Sequence, residues 1–297
     1  MTTRLGIVGI TAFVAGLATY FAYVLLFSST LITPRQVTAS LSSNAYTSER
    51  GATPIDSRNK NTARSQGFTA ADAKPSLNNG FISINFDDGF KSAFQNGMPI
   101  LDAAGIKTTH YIITGVLGRK PYISLEDVKT LRIHGHEIGA HTVIHPHLAD
   151  IPQTEVLNQI MKSKQFLEDN GLGPIETFAY PYGSYDQKVL EMARSASLKS
   201  ARTTHDGLND AYTPALELKG NTVTSSTTFI DLKNEIDEAR KEKKWLILAF
   251  HRIDEEGNGI SVRHELLFEL VKYLESEKIP VVTMQEGVAF FNSQQPH

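Results

Sequence analysis

Two adjacent carboxylates follow an apolar run in the first third of the sequence. In FISINFDDGF, Asp87 and Asp88 come directly after a run that reads as a buried strand. Adjacent carboxylates repel each other and are costly to bury unpaired, so a bound cation is a simple remedy. Neighbouring side chains on an extended chain point in opposite directions, which leaves one carboxylate for an ion and the other for a substrate. An Asp-Asp-Gly turn that caps the next helix is the alternative interpretation.

A second segment, GHEIGAHTVIHPHL, contains His141 and His145 at a spacing of four residues. On a helix this spacing places both rings on one face, as in many zinc sites. Pro146 and the β-branched residues between the two histidines disfavour a helix, so we expect a turn after a strand. Two histidines at this spacing favour a metal site. Three further histidines are interpreted as surface residues or as residues behind the ligands: His134, His136 and His147.

Two other segments place polar or aromatic residues after apolar runs. Tyr182 lies in ETFAYPYGSYD, which is either a Pro/Gly turn or a source of backbone N–H groups and an aromatic wall beside a site. His251 follows the apolar run in WLILAFHRID. In a (β/α) barrel the chemistry gathers at the C-terminal ends of the strands, and all these residues have that position in the predicted strands.

The elements that must position these residues alternate between apolar runs and amphipathic stretches. Helices are predicted over 93–104, from Ser124, over 155–170 and over 262–278, because apolar residues recur there at helical spacing or a capping pattern starts the element. The alternation predicts a seven- or eight-stranded distorted (β/α) barrel, with a doubly wound open sheet as the alternative. The predicted strands span 81–86, 108–114, 137–140, 176–180, 198–203, 218–223, 245–250 and 280–283.

Composition restricts the chemistry and the partners. The 297 residues include no cysteine, which excludes a disulfide scaffold, a thiolate nucleophile and a Cys-ligated zinc site. Any metal must therefore bind nitrogen and oxygen ligands. Residues 80–297 carry 22 basic and 29 acidic side chains, a net charge of −7. Nucleic acid is an unsuitable partner for such a domain, whereas a neutral or cationic polymer suits it better.

The sequence of residues 1–79 predicts two further regions. Residues 1–34 contain an uncharged apolar run long enough to cross a membrane, which indicates an uncleaved anchor, with a cleaved secretory signal as the alternative. Residues 35–79 are rich in Ser, Thr, Ala and Asn without periodicity and predict a flexible, disordered linker. We therefore expect a membrane-anchored protein whose domain, residues 80–297, is extracytoplasmic, or a secreted protein if the signal is cleaved.

Taken together, four motifs resemble those of the polysaccharide deacetylase family, also called the NodB-homology or carbohydrate esterase 4 family. The motifs are NFDDG, HTVIH, YPYG and LAFH, in the family's order between residues 80 and 287. The resemblance implies a distorted (β/α) barrel and a divalent metal, usually zinc and sometimes cobalt or another ion. It implies that Asp87 is the catalytic base and that Tyr182 lends a backbone N–H to the oxyanion. It also makes His251 the general acid, and the implied metal ligands are Asp88, His141 and His145.

Two departures from the family pattern concern the residues around the base and the acid. The third motif commonly carries an Arg where this chain has Ala179, and Arg202 is a candidate to supply that cation from a neighbouring strand. The Asp-Trp pair that usually supports the catalytic His is missing, because the single Trp lies within a predicted strand. Three acids are candidates to replace it: Asp206, Asp210 and Asp254.

The resemblance implies a hydrolase that removes N-acetyl groups from a polysaccharide containing N-acetylglucosamine, in a cell wall or an exopolysaccharide. Two alternatives use the same scaffold: an esterase for O-acetyl groups on xylan-like glycans, and a hydrolase of small cyclic amides. A third alternative is a catalytically silent, tethered carbohydrate-binding protein.

Overall fold

Seven parallel strands form the central sheet of residues 79–293, the part of the chain that this computed structural model describes. The order across the sheet is β5-β4-β3-β2-β1-β7-β6. The first five strands therefore follow one another without the reversal that a doubly wound sheet requires. The strands are β1 Phe81–Phe86, β2 Thr109–Ile112, β3 Glu137–Ala140, β4 Thr177–Ala179, β5 Ser200–Arg202, β6 Asn221–Thr222 and β7 Trp245–Phe250.

The segment that leads into β6 brings the two edges of the sheet together. Leu218 exchanges backbone hydrogen bonds with β5, donating to Ala201 O at 3.0 Å and accepting from Thr203 N at 2.7 Å. Three residues later, β6 pairs with β7. One short stretch thus pairs with the edge strand β5 and itself forms the other edge strand, β6, so the sheet curls in a way that is consistent with the predicted distorted (β/α) barrel.

Seven α-helices are present in residues 79–293. The predicted capping pattern at Ser124 is confirmed, since Ser124 and Asp127 form a capping box at the start of α2. The helix predicted over 93–104 begins instead with a π-helical turn, Ala93–Gly97. Pro99, two residues after this turn, has no backbone N–H and cannot donate a hydrogen bond. The helices are α1 Met98–Ala103, α2 Leu125–Ile133, α3 Gln153–Asp169, α4 Gln187–Ser195, α5 Phe229–Glu242, α6 His264–Ser276 and α7 Met284–Asn292.

Three predicted strands have the predicted bounds, four are shorter, and one is reduced to a single bridge. Where a strand was predicted over 280–283, only Val281 pairs, with Ile82. Two short strands outside the main sheet, β8 Arg252–Ile253 and β9 Ser261–Val262, pair with each other after β7.

Side chains alternate between the two faces of the curled sheet. Outward residues such as Ile84 and Leu248 pack with the helices in the main apolar core. Inward residues include polar ones, and the smaller apolar core among them contains Trp245 and residues of α7. Helix α7 covers the end where the strands begin, since Met284 N donates to Thr109 Oγ1 at 3.0 Å and Gln285 N donates to Glu137 Oε2 at 2.9 Å. The opposite end is left for the candidate site.

The predicted membrane anchor over residues 1–34 and all but the last residue of the predicted linker over 35–79 lie outside the described residues. Between residues 79 and 293, no helix combines the length and the apolar character that a membrane crossing needs. The anchor and linker therefore stay predictions from the sequence.

Candidate active site

The residues predicted to be functional meet at the C-terminal ends of the strands. Asp87 and Asp88 follow β1, His141 follows β3 and His251 follows β7. Arg202 is the last residue of β5. Because the strands are parallel, these ends lie at one mouth of the curled sheet, as expected for a (β/α) barrel.

Asp88, His141 and His145 form a cluster suited to one metal ion. Oδ1 of Asp88 lies 3.3 Å from Nε2 of each histidine, and the two Nε2 atoms are 3.0 Å apart. The Asp88 oxygen is buried and has no hydrogen-bond partner. Of the described residues, this is one of two groups of His, Asp or Glu with ligand atoms close enough to share an ion.

The protonation states in this cluster leave lone pairs for a cation. His141 Nδ1 lies 2.7 Å from the carbonyl oxygen of Ala179, which can only accept, so Nδ1 carries the proton and Nε2 is free. Burial, followed by the neighbouring His141, lowers the pKa of His145 to about 4, so its ring is neutral at pH 7. Burial alone would raise the pKa of Asp88, but His141 and the other nearby histidines outweigh it and lower that pKa. Two imidazoles and one carboxylate are a donor set that zinc accepts. The residues therefore fit the predicted metal, although the identity of the ion stays a prediction.

Asp87 has different neighbours from Asp88. Its Oδ2 forms a short ion pair with Arg202 Nη2 and lies 3.9 Å from His251 Nε2. Its Oδ1 is buried without a hydrogen-bond partner. Burial alone would raise the pKa of Asp87, but Arg202, His251 and His141 outweigh it and hold that pKa below its usual value. The carboxylate is therefore ionised, with one oxygen fixed and the other available to accept a proton.

The register of the sheet explains how Arg202 reaches the place of the missing family Arg. Ala179 on β4 and Arg202 on β5 are direct lateral partners. The side chain of Arg202 is 1% exposed, so it runs through the interior to Asp87. The small side chain of Ala179 leaves this route open. The cation anticipated from a neighbouring strand thus lies beside Asp87, whereas its role in catalysis is a proposal.

Four non-glycine residues of the site have a left-handed backbone: Asp88 (φ 70°), Thr142 (φ 65°), His145 (φ 60°) and Tyr182 (φ 58°). For Asp and His this conformation is uncommon, and for the β-branched Thr142 it is an outlier. Such strain costs on the order of 1–3 kcal/mol per residue and tends to cluster at functional sites. The turn predicted for His141 and His145 is confirmed, because residues 141–147 contain no helix.

Two residues that support the histidine loop were missed from the sequence. Gln159 on α3 accepts hydrogen bonds through Oε1 from the backbone N–H groups of Val143 at 3.0 Å and Ile144 at 3.1 Å. Thr142 Oγ1 accepts from the N–H of His145 at 2.9 Å. The available signal was a polar Gln159 among the apolar positions of α3, next to Ile160, on the face that packs inward.

His251 is present at the site but lacks the predicted acidic partner. Its Nδ1 is buried without a hydrogen bond. Asp254 Oδ1 accepts instead from Ser261 Oγ, and Asp210 Oδ1 accepts from the backbone N–H of Tyr212 at 3.0 Å. Asp206 contributes only an electrostatic effect on Glu235. Within residues 79–293, none of the three candidate acids contacts His251.

Tyr182 forms part of the wall of the site. Its ring packs edge-on against His145 at 4.4 Å and stacks on His147 at 4.0 Å. The residue is 58% exposed. His147 therefore lies beside the site, and Tyr182 separates it from the predicted ligand His145. This position agrees with one of the two interpretations of His147, a residue behind the ligands.

His134 and His136 lie at the other end of β3. His134 is exposed and pairs with Asp102, as a surface residue would. The interpretation of His136 as a surface or supporting residue was wrong. His136 is fully buried, with Nδ1 accepting from Thr108 N at 3.1 Å and Nε2 lying 3.1 Å from Asp102 Oδ1. The residue directly precedes β3, so the sheet itself buries the ring on the side away from the site.

Comparison with known proteins gives a family match over part of the chain. Residues 74–201 match the family model for polysaccharide deacetylases. This match confirms the resemblance to the polysaccharide deacetylase family that the motifs show. The matched range includes the aspartate pair, the histidine motif and Tyr182, but it ends before Arg202 and His251.

Individual relatives agree with this assignment. The chain is 28% identical over 136 residues to the putative polysaccharide deacetylase YxkH of Bacillus subtilis, covering 46% of this chain and 48% of that protein. It is 28% identical over 154 residues to the poly-β-1,6-N-acetyl-D-glucosamine N-deacetylase of Staphylococcus aureus, covering 46% and 53%. The chain thus spans about half the length of the curated relatives it matches.

Among solved structures, the chain is similar to the Streptococcus pyogenes deacetylase PplD in complex with acetate. The TM-score is 0.50 at 25% identity, covering 52% of this chain and 69% of that chain. The structural similarity supports the parallel β/α fold described above.

Proposed function

We propose that this chain is a metal-dependent hydrolase that removes N-acetyl groups from a polysaccharide containing N-acetylglucosamine, in a cell wall or an exopolysaccharide. The observation that carries the proposal is that two adjacent carboxylates have different neighbours. Asp88 faces His141 and His145, whereas Asp87 faces Arg202 and His251. The S. aureus relative is named for N-deacetylation of such a polymer, and PplD binds acetate, the expected product.

Asp88, His141 and His145 would hold the ion, most suitably zinc, with cobalt or another divalent ion as the alternative. When bound, such an ion would supply Lewis acidity and lower the pKa of a water molecule towards neutrality. The protein's part is to present three lone pairs in one place. The hydrogen bond from His141 Nδ1 to Ala179 O fixes the ring so that Nε2 faces the other donors.

Asp87 acts as the general base in this proposal. It is ionised at neutral pH, and its Oδ1 has no hydrogen bond that a substrate water would need to displace. Arg202 holds the other oxygen and so orients the carboxylate. A positioned base contributes about 10²–10⁴-fold to a hydrolysis rate.

His251 acts as the general acid, which gives its proton to the departing nitrogen. An amine is a poor leaving group unless it is protonated, so removal of an N-acetyl group needs this acid more than ester hydrolysis does. Tyr182 would add a backbone N–H to the oxyanion, and such donors are each worth about 10²–10³-fold in rate. The deacetylated product is cationic, which suits a domain of net charge −7 over residues 80–297.

Release of acetate from a panel of acetylated glycans tests the proposal. The panel contains poly-β-1,6-N-acetylglucosamine, chito-oligosaccharides, peptidoglycan, acetylated xylan and a small cyclic amide, each with chelator and with added zinc. We expect release from at least one N-acetylated polymer, loss with chelator and recovery with zinc. Release from xylan alone would favour the esterase alternative, and cleavage of the cyclic amide alone would favour the amidase. Binding of a glycan without any product would favour the silent binding protein.

We further propose, from the sequence of residues 1–34, that the chain is anchored in a membrane with its catalytic domain extracytoplasmic. Fractionation of cells producing the full chain tests this proposal. A domain recovered only in the medium would indicate a cleaved secretory signal instead.

A further inference from the structure

We infer that Tyr111 is a positioning residue that holds the Arg202 side chain against Asp87 through its aromatic ring. This inference rests on the proposed function, since it concerns the base of that reaction. It adds a residue outside the four motifs that carry the family resemblance.

The path of Arg202 requires support along its length. Arg202 ends β5, and Asp87 follows β1, four strands away in the sheet order. The side chain must therefore cross the interior of the curled sheet. Two of its nitrogens have partners, since Nη2 pairs with Asp87 and Nη1 donates to Thr203 O at 2.9 Å. The third, Nε, is buried without a hydrogen bond. Hydrogen bonds alone thus leave one side of the guanidinium unsupported.

Tyr111 supplies an aromatic face to this guanidinium. Its ring centroid lies 5.6 Å from Cζ of Arg202, within the range of a cation–π contact. The tyrosine is fully buried on β2, between the strands that carry the two members of the ion pair. Its hydroxyl has no hydrogen-bond partner. The ring, and not the hydroxyl, is therefore the part of Tyr111 that acts on Arg202.

Two glycines provide the space for this pair. Gly139 is the direct lateral partner of Tyr111, and a Cβ there would lie 2.5 Å from the tyrosine ring. A Cβ at Gly220 would lie 2.4 Å from Cδ of Arg202. Both distances are below any contact that a real Cβ makes, so neither position tolerates a side chain with the present packing. Gly139 and Gly220, like the small Ala179, therefore leave room for Tyr111 and Arg202 inside the sheet.

A double-mutant cycle tests the inference with the full chain. Tyr111→Phe and Tyr111→Leu are made in the wild type and in an Arg202→Met background, and kcat, KM and zinc stoichiometry are measured. We expect Tyr111→Phe to keep kcat within about twofold and Tyr111→Leu to lower it about tenfold, with KM and zinc content unchanged. In the Arg202→Met background, Tyr111→Leu should cause no further loss, because two residues that act as a unit are not additive.

The outcomes separate three possibilities. An equal loss from Tyr111→Leu in both backgrounds, or an equal loss from Tyr111→Phe, overturns the inference while the proposed function stands. A wild-type chain that releases no acetate from any substrate overturns the proposed function and the inference with it. Urea unfolding identifies variants that fail to fold, and Tyr111→Met, which keeps more of the volume, then replaces Tyr111→Leu in the cycle.

Discussion

Two groups of one aspartate and two histidines flank the same strand, β3, and differ in what their hydrogen bonds leave free. At its C-terminal end, Asp88, His141 and His145 bring three lone-pair atoms together, with the Asp88 Oδ1 unpartnered. Before its first residue, His136 joins His134 around Asp102.

In the second group every donor has an acceptor. Lys107 and His136 both contact Asp102 Oδ1, at 3.0 and 3.1 Å, while His134 contacts Oδ2 at 2.7 Å. Because His136 Nδ1 accepts from the backbone of Thr108, its Nε2 must carry the proton and faces the carboxylate. No lone pair of His136 is therefore free for a metal. The comparison teaches that residue type and proximity are not enough to make a metal site. The nitrogen and oxygen atoms that face one another must also have lone pairs that no hydrogen bond occupies.

The largest expected difference between the two groups is in metal binding. His141→Ala should abolish both zinc binding and acetate release, because it removes a ligand. His136→Ala should keep both and lose about 1–3 kcal/mol of stability, since it leaves buried polar partners unsatisfied. Metal analysis, acetate release and urea unfolding measure these effects.

A control is needed for zinc bound elsewhere. His264→Ala removes an exposed group formed with Glu255 and Glu265 whose atoms are also close enough to share an ion. Its zinc stoichiometry should equal that of the wild type. Metal binding that persists in His141→Ala and disappears in His264→Ala would place the zinc at the Glu255, His264 and Glu265 group and contradict the prediction.

The next effect separates the base from the ligands. Asp87→Asn should retain zinc but lower kcat by about 10²–10⁴-fold, because an amide cannot accept the proton of the attacking water. Asp102→Asn is the matched change at the other end of β3 and should leave kcat unchanged. Single-turnover acetate release with zinc-loaded protein measures both, and full activity in Asp87→Asn would remove Asp87 from the mechanism.

A smaller effect concerns the support of the ligand loop. Gln159→Met removes the acceptor for two backbone N–H groups between His141 and His145. Loss of such support behind metal ligands costs about 10–100-fold in metal affinity, and we expect the lower limit. Competition with a zinc chelator measures the affinity. Gln165→Met, at an exposed position of the same helix, is the control and should bind zinc as the wild type does.

The smallest expected effect is on the pH dependence of the free energy of unfolding, through Asp102 of the second group. Burial alone would raise the pKa of Asp102, but His134, Lys107 and His136 outweigh it and lower the pKa to about 2. A lowered folded-state pKa means that the ionised form stabilises the fold above about pH 4 and that this contribution is lost as the pH falls towards 2. With partial exposure to solvent, we expect about 1 kcal/mol.

Urea unfolding at pH 5 and pH 3 measures this contribution. The wild type should lose about 0.5 kcal/mol more than Asp102→Asn between the two values, because about half of the contribution is still present at pH 3. Equal losses in both proteins would show that Lys107, His134 and His136 do not lower the pKa of Asp102 in solution.

The sequence predicted those features that depend on local pattern. Strands β1, β3 and β7 have the predicted bounds. β7 is a continuous apolar run, and the apolar run of β1 is interrupted only by Ser83 and Asn85. The gathering of Asp87, Asp88, His141 and His251 followed from their shared position after such runs. The family motifs then gave these residues distinct roles.

Features that depend on register or on distant packing were not predicted. The 218–223 segment was expected as one strand, yet Leu218 pairs with β5 and Asn221 pairs with β7. Helix α7 was missed because Gly287 weakens its helical pattern. That glycine is required, since a Cβ there would lie 2.5 Å from the Trp245 ring. The burial of His136 likewise depends on contacts with residues 28 and 34 positions away in the chain.

The left-handed backbone at Asp88, Thr142, His145 and Tyr182 has a consequence for protein design. Side chains copied onto a barrel with relaxed loops would point elsewhere, because each of these residues aims its side chain from a conformation that ordinary turns avoid. A transplanted site would have to carry its loops and their supports, including the contact between Gln159 and the histidine loop. The unit that can be moved between scaffolds is therefore the set of loops with their backbone conformations. The side chains without these loops would not rebuild the site.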